Sequence, residues 1–240
     1  MITSEIDAVL SLAREDMRAL KAYEHAQWRP ELERLHANES PWPPLSSNDG
    51  LARHHYPEPQ PAELVAAMAK YYGVAADQVL VGRGSDEGID LLTRAFCRAE
   101  QDSVVVCPPT FGMYAVAAAI QGARTVSSPL RENFQLDVTA IVTALQAPSS
   151  RSPKLVWVCS PNNPTGEEIP ADTIREIAAT CPGLVCVDQA YLKFGGVADH
   201  LPLLAECPNL VFVRTFSKGW GMGALRAGYA VANPLIAGAL

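Results

Sequence analysis

The stretch VFVRTFSKGWGMGALRAG, residues 211–228, decides how the chain reads. Together with Leu210 it opens as an apolar run (Val211, Phe212, Val213) with the length and β-branched character of a buried strand. The run stops at Thr215, Ser217 and Lys218, and a glycine-rich loop leads to Arg226. A lysine just past a buried strand is expected to be partly desolvated, which favours its neutral, nucleophilic amine. Thr215 and Ser217 set hydroxyls beside it, and Arg226 adds a planar fork suited to an anion. Gly219, Gly221 and Gly223 let backbone approach a ligand closely. This is the equipment for a Schiff base held next to a phosphate. Read alone, the same residues also fit a solvated lysine in a glycine-rich turn, and the remainder of the chain decides between the two.

A chain of 240 residues can bury a large core, as one α/β domain or two smaller ones. With 48% hydrophobic and 19% charged residues it reads as soluble and globular. The net charge of −7 argues against nucleic acid or an anionic membrane as partner, so an anionic ligand must be held by local groups. Cys97, Cys107, Cys159, Cys181, Cys186 and Cys207 are scattered without a C-x-x-C pair. They read as reduced, buried residues of a cytoplasmic protein, and no metal site is expected. The charges spread through residues 2–18 do not suit a signal peptide, and no apolar run approaches transmembrane length.

The order of segments points to an α/β fold. Residues 5–20 read as an amphipathic helix, and 23–45 as an irregular arm with Trp28, Trp42 and several prolines. Proline spacing in 56–61 excludes a helix or an inner strand there. Residues 62–72 form a helix with Leu64, Val65, Met68 and Tyr72 on one face. Strands at 79–81, 103–107 and 154–159 then alternate with helices at 86–97, 112–121 and 171–180, and further strands follow at 184–188, 210–215 and 226–232. Strands apolar on both faces with helices between them imply a mostly parallel sheet covered on both sides. Ligands in such folds bind beyond the carboxyl ends of the strands.

Every unusual polar cluster falls at such an end. After 79–81 come Gly82, Arg83, Gly84 and Ser85, with Ser85 as an N-cap and amide groups free to cradle a phosphate; an ordinary capped helix fits as well. After 103–107 comes Phe111, as a stacking ring or a core residue. Beyond 154–159, Ser160 to Gly166 form a stiff turn that presents Asn162 and Asn163. Asp188 ends its apolar strand, where burial is costly unless the carboxylate meets a cation such as a pyridinium nitrogen; Tyr191 lies within a turn of it.

Ser85-Asp-Glu, Ser160-Pro-Asn-Asn-Pro-Thr-Gly166, Asp188-x-Ala-Tyr191 and Thr215-x-Ser-Lys218 with Arg226 resemble the fold-type I aminotransferases, which use pyridoxal phosphate. Leu35-His-Ala-Asn-Glu39, Tyr56-Pro-Glu-Pro-Gln-Pro61, Arg83 to Gly88, Cys107 to Tyr114 and Cys159-Ser-Pro-Asn-Asn-Pro are most similar to the histidinol-phosphate aminotransferases. The similarity covers nearly the whole chain.

The resemblance implies that Lys218 joins the cofactor and later moves the proton on the substrate, while Asp188 pairs with the ring nitrogen. It places Tyr191 and Asn163 at the ring oxygen and Phe111 on the ring face. The amides at Ser85 and Asp86, the hydroxyls of Thr215 and Ser217, and Arg226 take the phosphate, and Tyr56 reaches the phosphate of a second subunit, implying a homodimer. Tyr23, Tyr56 and Asn163 face the substrate, a small-molecule amino donor or 2-oxo acid. The implied reaction runs between L-histidinol phosphate and 2-oxoglutarate. An aromatic aminotransferase, a threonine-phosphate decarboxylase and a catalytically incompetent cofactor-binding domain are the alternatives. Two departures stand out. Gln189 occupies a position where relatives usually carry glutamate, and the chain ends at Leu240, where the family continues into a small domain with a substrate-gripping arginine. The expected organisation is an N-terminal helix and arm over 1–55 and a large cofactor domain over 56–240, truncated before that small domain.

Overall fold

Strands that are apolar on both faces need cover on both faces, and the chain supplies it. The computed structural model describes residues 8, 10–11, 13–21, 31–44, 53–147, 153–196 and 198–240. The strands are β1 Val79–Gly82, β2 Ser103–Val106, β3 Arg124–Ser127, β4 Pro153–Cys159, β5 Leu184–Asp188, β6 Leu210–Thr215 and β7 Gly228–Ala232. They form one sheet in the order β1-β7-β6-β5-β4-β2-β3. The helices are α1 Glu15–Arg18, α2 Ala62–Tyr72, α3 Ser85–Phe96, α4 Met113–Gln121, α5 Val138–Gln146, α6 Ala171–Thr180 and α7 Pro234–Ala237. Among the described residues no helix is long and apolar enough to cross a membrane.

Alternation along the inner strands divides the core in two. Val105, Val156, Val158, Val185, Val187 and Phe212 face one side, where Ile141 of α5 and Ile174 and Ile177 of α6 meet them. Val104, Leu155, Trp157, Cys186, Val211 and Val213 face the other, under Ile89, Leu92 and Phe96 of α3 and Tyr114 of α4. Each fully buried side chain of this size contributes about 1.5–3 kcal/mol, so the central strands make a stiff base for whatever their ends carry. All six cysteines are buried free thiols.

Strands β2 to β6 pair in parallel, whereas β7 runs antiparallel to both β6 and β1. The start of β7 therefore lies where the other strands end: Gly228 pairs with Thr215 on one side and with Gly82 on the other. Only glycine suits this position. A Cβ on Gly228 would lie 2.5 Å from the Gly84 carbonyl carbon and 2.7 Å from the Ser85 nitrogen.

Several expectations are corrected. The single helix over 5–20 is broken, because Arg14 leaves the helical conformation (φ −53°, ψ 135°) to cap α1. It does so to dock on α3, with its N–H donating to the Ala95 carbonyl at 2.9 Å and its guanidinium to that of Arg94 at 3.1 Å. Ser85 is the first residue of α3 and not its N-cap. Gly84 takes the cap position at φ 89°, a conformation that residues with a Cβ rarely adopt. Two elements lie beyond the expected set: β3, an edge strand with a mostly solvent-accessible pattern, and α5. The described part of the 23–45 arm, residues 31–44, contains neither helix nor strand, as expected.

Candidate active site

Five loops that leave the same edge of the sheet enclose a cavity of about 150 Å³. Its lining comprises Ser85, Asp86, Phe111, Cys159, Asn163, Asp188, Ala190, Tyr191, Thr215, Ser217, Lys218 and Arg226. Ten of these twelve are residues singled out from the sequence; Cys159 and Ala190 are additions.

Asp188 ends β5 and is 1% exposed. Burial pushes its carboxyl up from the usual 3.8 to about 6, against hydrogen bonds that favour the charged form. Those donors are the Tyr114 hydroxyl, 2.8 Å from Oδ2, and the Ala190 N–H, 2.9 Å from Oδ1. Among the described residues no basic side chain forms an ion pair with it. A buried carboxylate without an ion-pair partner fits a ligand that brings its own cation, as a protonated ring nitrogen does.

The opposite end of the cavity suits an anion. Arg226 sits at φ 49°, in the left-handed region that costs most residues about 1–2 kcal/mol. That turn carries its guanidinium to the Ser217 hydroxyl at 3.3 Å and to the Gly223 carbonyl at 3.2 Å. A Cβ on Gly84 would stand 3.2 Å from Arg226 Nη2, so the glycine leaves the guanidinium its place beside the start of α3. Asp86 lies 3.8 Å from Arg226 Nη2, and both are exposed enough for the contact to be weak. Thr215 Oγ1 accepts the Ser217 N–H at 3.1 Å and shapes the turn into the loop. Helix start, hydroxyls and arginine together make an anion cradle.

Between the two ends, Asn163 donates through Nδ2 to the Tyr191 hydroxyl at 3.1 Å. Neighbouring Asn162 has a different task. It pins the turn, donating to the Pro109 carbonyl and the Thr165 hydroxyl, both at 2.9 Å, and accepting from Thr110 at 2.8 Å. Lys218 Nζ stands 5.6 Å from the centroid of the Tyr191 ring. Its expected desolvation is not met: Lys218 is exposed, because it lies in the loop beyond the sheet edge, at the mouth of the cavity.

Tyr56 does not join this group. It is 65% exposed, with its N–H on Glu39 Oε1 at 2.5 Å and its carbonyl accepting from Arg34 at 3.1 Å. Two Arg34–Glu39 hydrogen bonds of 2.6 Å hold that clamp together, and Gln60 ties the same loop to Val81. Tyr23 lies outside the described residues. Two polar features escaped the sequence reading. Tyr114 stands in the sequence only as part of a motif, and its contact with Asp188 spans 74 positions in the chain. Arg214, 2% exposed, uses its guanidinium on Gln189 (2.6 and 3.1 Å) and on Asp199. The neutral Gln189 thus still serves a buried arginine, whose countercharge comes from Asp199.

The donor set fits pyridoxal phosphate, the cofactor implied by the resemblance: an anion cradle at one end, a carboxylate without a cation at the other, and a lysine at the mouth. Comparison with known proteins agrees. The sequence profile described as "Aminotransferase class I and II" matches residues 20–240. A histidinol-phosphate aminotransferase of Xylella fastidiosa (strain Temecula1) is 44% identical over 97% of this chain and 64% of its own length. One from Xanthomonas campestris is 43% identical over 94% of this chain and 63% of its own length. The chain thus spans 64% of the length of the first of these relatives. Among solved structures, histidinol-phosphate aminotransferase from Sinorhizobium meliloti in complex with pyridoxal-5'-phosphate superposes with a TM-score of 0.67 at 25% identity, over 74% of this chain and 48% of that one. L-threonine-O-3-phosphate decarboxylase from Porphyromonas gingivalis gives 0.63 at 25% identity, over 77% and 53%. On sequence and on structure alike, the chain belongs to the class I and II aminotransferase family.

Proposed function

We propose that the protein is a cytoplasmic, homodimeric, pyridoxal phosphate-dependent aminotransferase that exchanges the amino group between L-histidinol phosphate and 2-oxoglutarate. The observation that carries this reading is the single cavity uniting Asp188, at the end of β5, with Lys218 and Arg226, from the loop between β6 and β7. When bound, pyridoxal phosphate supplies an aldehyde that condenses with amines and a protonated ring that withdraws electrons from the substrate Cα. The protein's own residues do the rest. Asp188 holds the proton on the ring nitrogen, and the low polarity around it strengthens that pairing. Tyr191 and Asn163, already hydrogen-bonded to each other, would meet the ring oxygen, and Phe111 would pack on the ring face. Lys218, exposed and unencumbered by a salt bridge among the described residues, takes the proton from Cα and returns it. The backbone amides of Ser85 and Asp86, the hydroxyls of Thr215 and Ser217, and the Arg226 guanidinium hold the phosphate.

Tyr56 supports a dimer. Its loop is clamped by Arg34 and Glu39 although its side chain projects into solvent, an arrangement suited to serving a neighbour's site. Tyr23 completes the substrate contacts in this reading. A second reading, decarboxylation of a phosphorylated amino acid, is favoured by the match to the threonine-phosphate decarboxylase.

Amino-donor profiling separates the two. L-Histidinol phosphate, aromatic amino acids and L-threonine O-phosphate are supplied with 2-oxoglutarate, and ketone, glutamate and carbon dioxide are measured. Ketone and glutamate from histidinol phosphate are expected; carbon dioxide from threonine phosphate, with no turnover of histidinol phosphate, would reverse the assignment. Mixed dimers of Tyr56→Phe and Lys218→Ala chains place both lesions on one of two shared sites and should retain activity at the other.

A further inference from the structure

Tyr114 is the largest polar side chain in contact with the cavity's carboxylate, and the proposed mechanism gives it no task. It lies in the first turn of α4, fully buried. Its ring is held from two sides. Trp157 of β4 stacks parallel to it at 4.9 Å and 2°, and Phe111 meets it edge-on at 5.7 Å and 83°. Rings packed in this way have no alternative rotamer without displacing a neighbour. The hydroxyl therefore has a fixed position, 2.8 Å from Asp188 Oδ2.

We propose that Tyr114 is a positioning residue for Asp188: its hydroxyl holds the carboxylate oriented and charged, so that the remaining lone pairs face a cationic ring nitrogen in the cavity. This rests on the cofactor reading given above. The alternative, a tyrosine buried for packing alone, does not require its hydroxyl to meet the buried carboxylate that lines the cavity. Ala190 supplies the second donor, on the other oxygen, so the two bonds fix the carboxylate plane between them.

The groups facing Asp188 come from five segments. Tyr114 of α4 and the Ala190 amide donate to it, Asp86 of α3 repels its charge, Lys218 beyond β6 attracts it, and Cys159 of β4 walls it in. Burial and the adjacent carboxylate push the Tyr114 hydroxyl well above its usual 10, so it remains a donor over the working range. Cys159 is pushed up to about 12 and carries no charge there. Of these groups, the Tyr114 hydroxyl makes the largest contribution toward the charged form of Asp188.

The test measures binding of 4-deoxypyridoxine 5'-phosphate, whose methyl group replaces the aldehyde so that Lys218 cannot join it. Calorimetric affinities are taken from about pH 5 to about pH 9 for wild type and Tyr114→Phe, so that the ligand's own titration is common to both. Phe keeps the ring volume and both ring contacts. Tyr114→Met, which removes the donor while adapting in shape, is the second variant. Loss of a hydrogen bond to a charged acceptor should move the acid limb of the affinity profile upward by about one pH unit in both variants, or about tenfold weaker binding between the two midpoints. In an Asp188→Ala background the same substitutions should change nothing further. Coincident profiles for wild type and variants overturn the inference while leaving the cofactor reading intact. A shift that persists without Asp188 also overturns it, since Tyr114 then acts elsewhere. If the wild type binds neither this ligand nor pyridoxal phosphate, the cofactor reading falls and the inference falls with it.

Discussion

Replacing Asp188 by asparagine should stabilise the cofactor-free protein at neutral pH, although it removes the group assigned to the ring nitrogen. The carboxyl is 1% exposed, and its pKa rises from 3.8 to about 6, chiefly through burial. A folded-state pKa above the unfolded value means that the protonated form favours folding. That contribution is complete below about pH 4 and is lost as pH rises through about 6. The gap of about two pH units corresponds to about 3 kcal/mol, which the ionised wild type forgoes above pH 7. Asparagine keeps the shape and carries no charge. Its oxygen can accept the Ala190 N–H and its amide can donate to the Tyr114 hydroxyl, so neither buried partner is stranded. Urea unfolding of both proteins without cofactor, from about pH 4 to about pH 8, reads the difference. Asp188→Asn is expected to be more stable by up to about 3 kcal/mol near pH 8, with the advantage shrinking toward zero near pH 4. Pyridoxal phosphate should narrow or reverse the gap, since only the wild type gains an ion pair. A difference that is constant with pH, or a variant less stable at pH 8, would refute the account of Asp188 as a buried carboxylate awaiting a cation.

Three further outcomes are expected. Borohydride reduction in the presence of pyridoxal phosphate should fix the cofactor to the peptide containing Lys218, read by mass spectrometry, and Lys218→Ala should abolish the adduct while still binding the cofactor reversibly. Arg226→Ala should weaken pyridoxal phosphate about 10- to 100-fold by calorimetry, the range for a lost charged hydrogen bond, and an unchanged affinity would remove Arg226 from the cradle. Gly228→Ala should lower stability by at least about 1–3 kcal/mol in urea unfolding, because its Cβ meets Gly84 backbone at 2.5 Å; a neutral substitution would show that β7 can shift away from α3.

Much of the site was legible because each of its residues ends a run that announces itself. Asp188 follows four apolar residues in β5, and Thr215 closes a strand that likewise opens with four, after which the apolar run gives way to polar and glycine-rich sequence. Where the signal is long-range, the sequence is silent. Nothing near Tyr114 indicates that its hydroxyl reaches a strand 74 positions away, and nothing near Gln189 indicates that Asp199 would balance Arg214. The direction of β7 was hidden for a similar reason. Its composition reads as one more buried strand, yet pairing it backwards is what brings Arg226, which precedes it, to the edge where the other strands end. Edge strand β3 was missed because only its two middle residues are partly buried, so it lacks the apolar run that marks an inner strand. The desolvation inferred for Lys218 failed because a position past a strand end can turn toward solvent as readily as toward the core.

These differences divide the site into two halves of unequal stiffness. Asp188, Tyr114 and Trp157 are fully or nearly fully buried and locked by stacking and strand pairing, so the carboxylate assigned to the ring nitrogen is positioned before any ligand arrives. Arg226 and Asp86, by contrast, have side chains 57% and 47% exposed and are carried by a loop and a helix start. Substitutions in the two halves should therefore read out differently. In the exposed half the loss is of affinity and depends on salt, because water and counterions already compete for those groups. In the buried half the loss is of protonation and orientation, which appears in the pH profile and in stability before it appears in affinity. The cost stored at Asp188 and the open position of Lys218 belong to one logic. In the proposed mechanism the residue assigned to the ring nitrogen is buried and locked, and the lysine assigned to bond making lies exposed at the mouth.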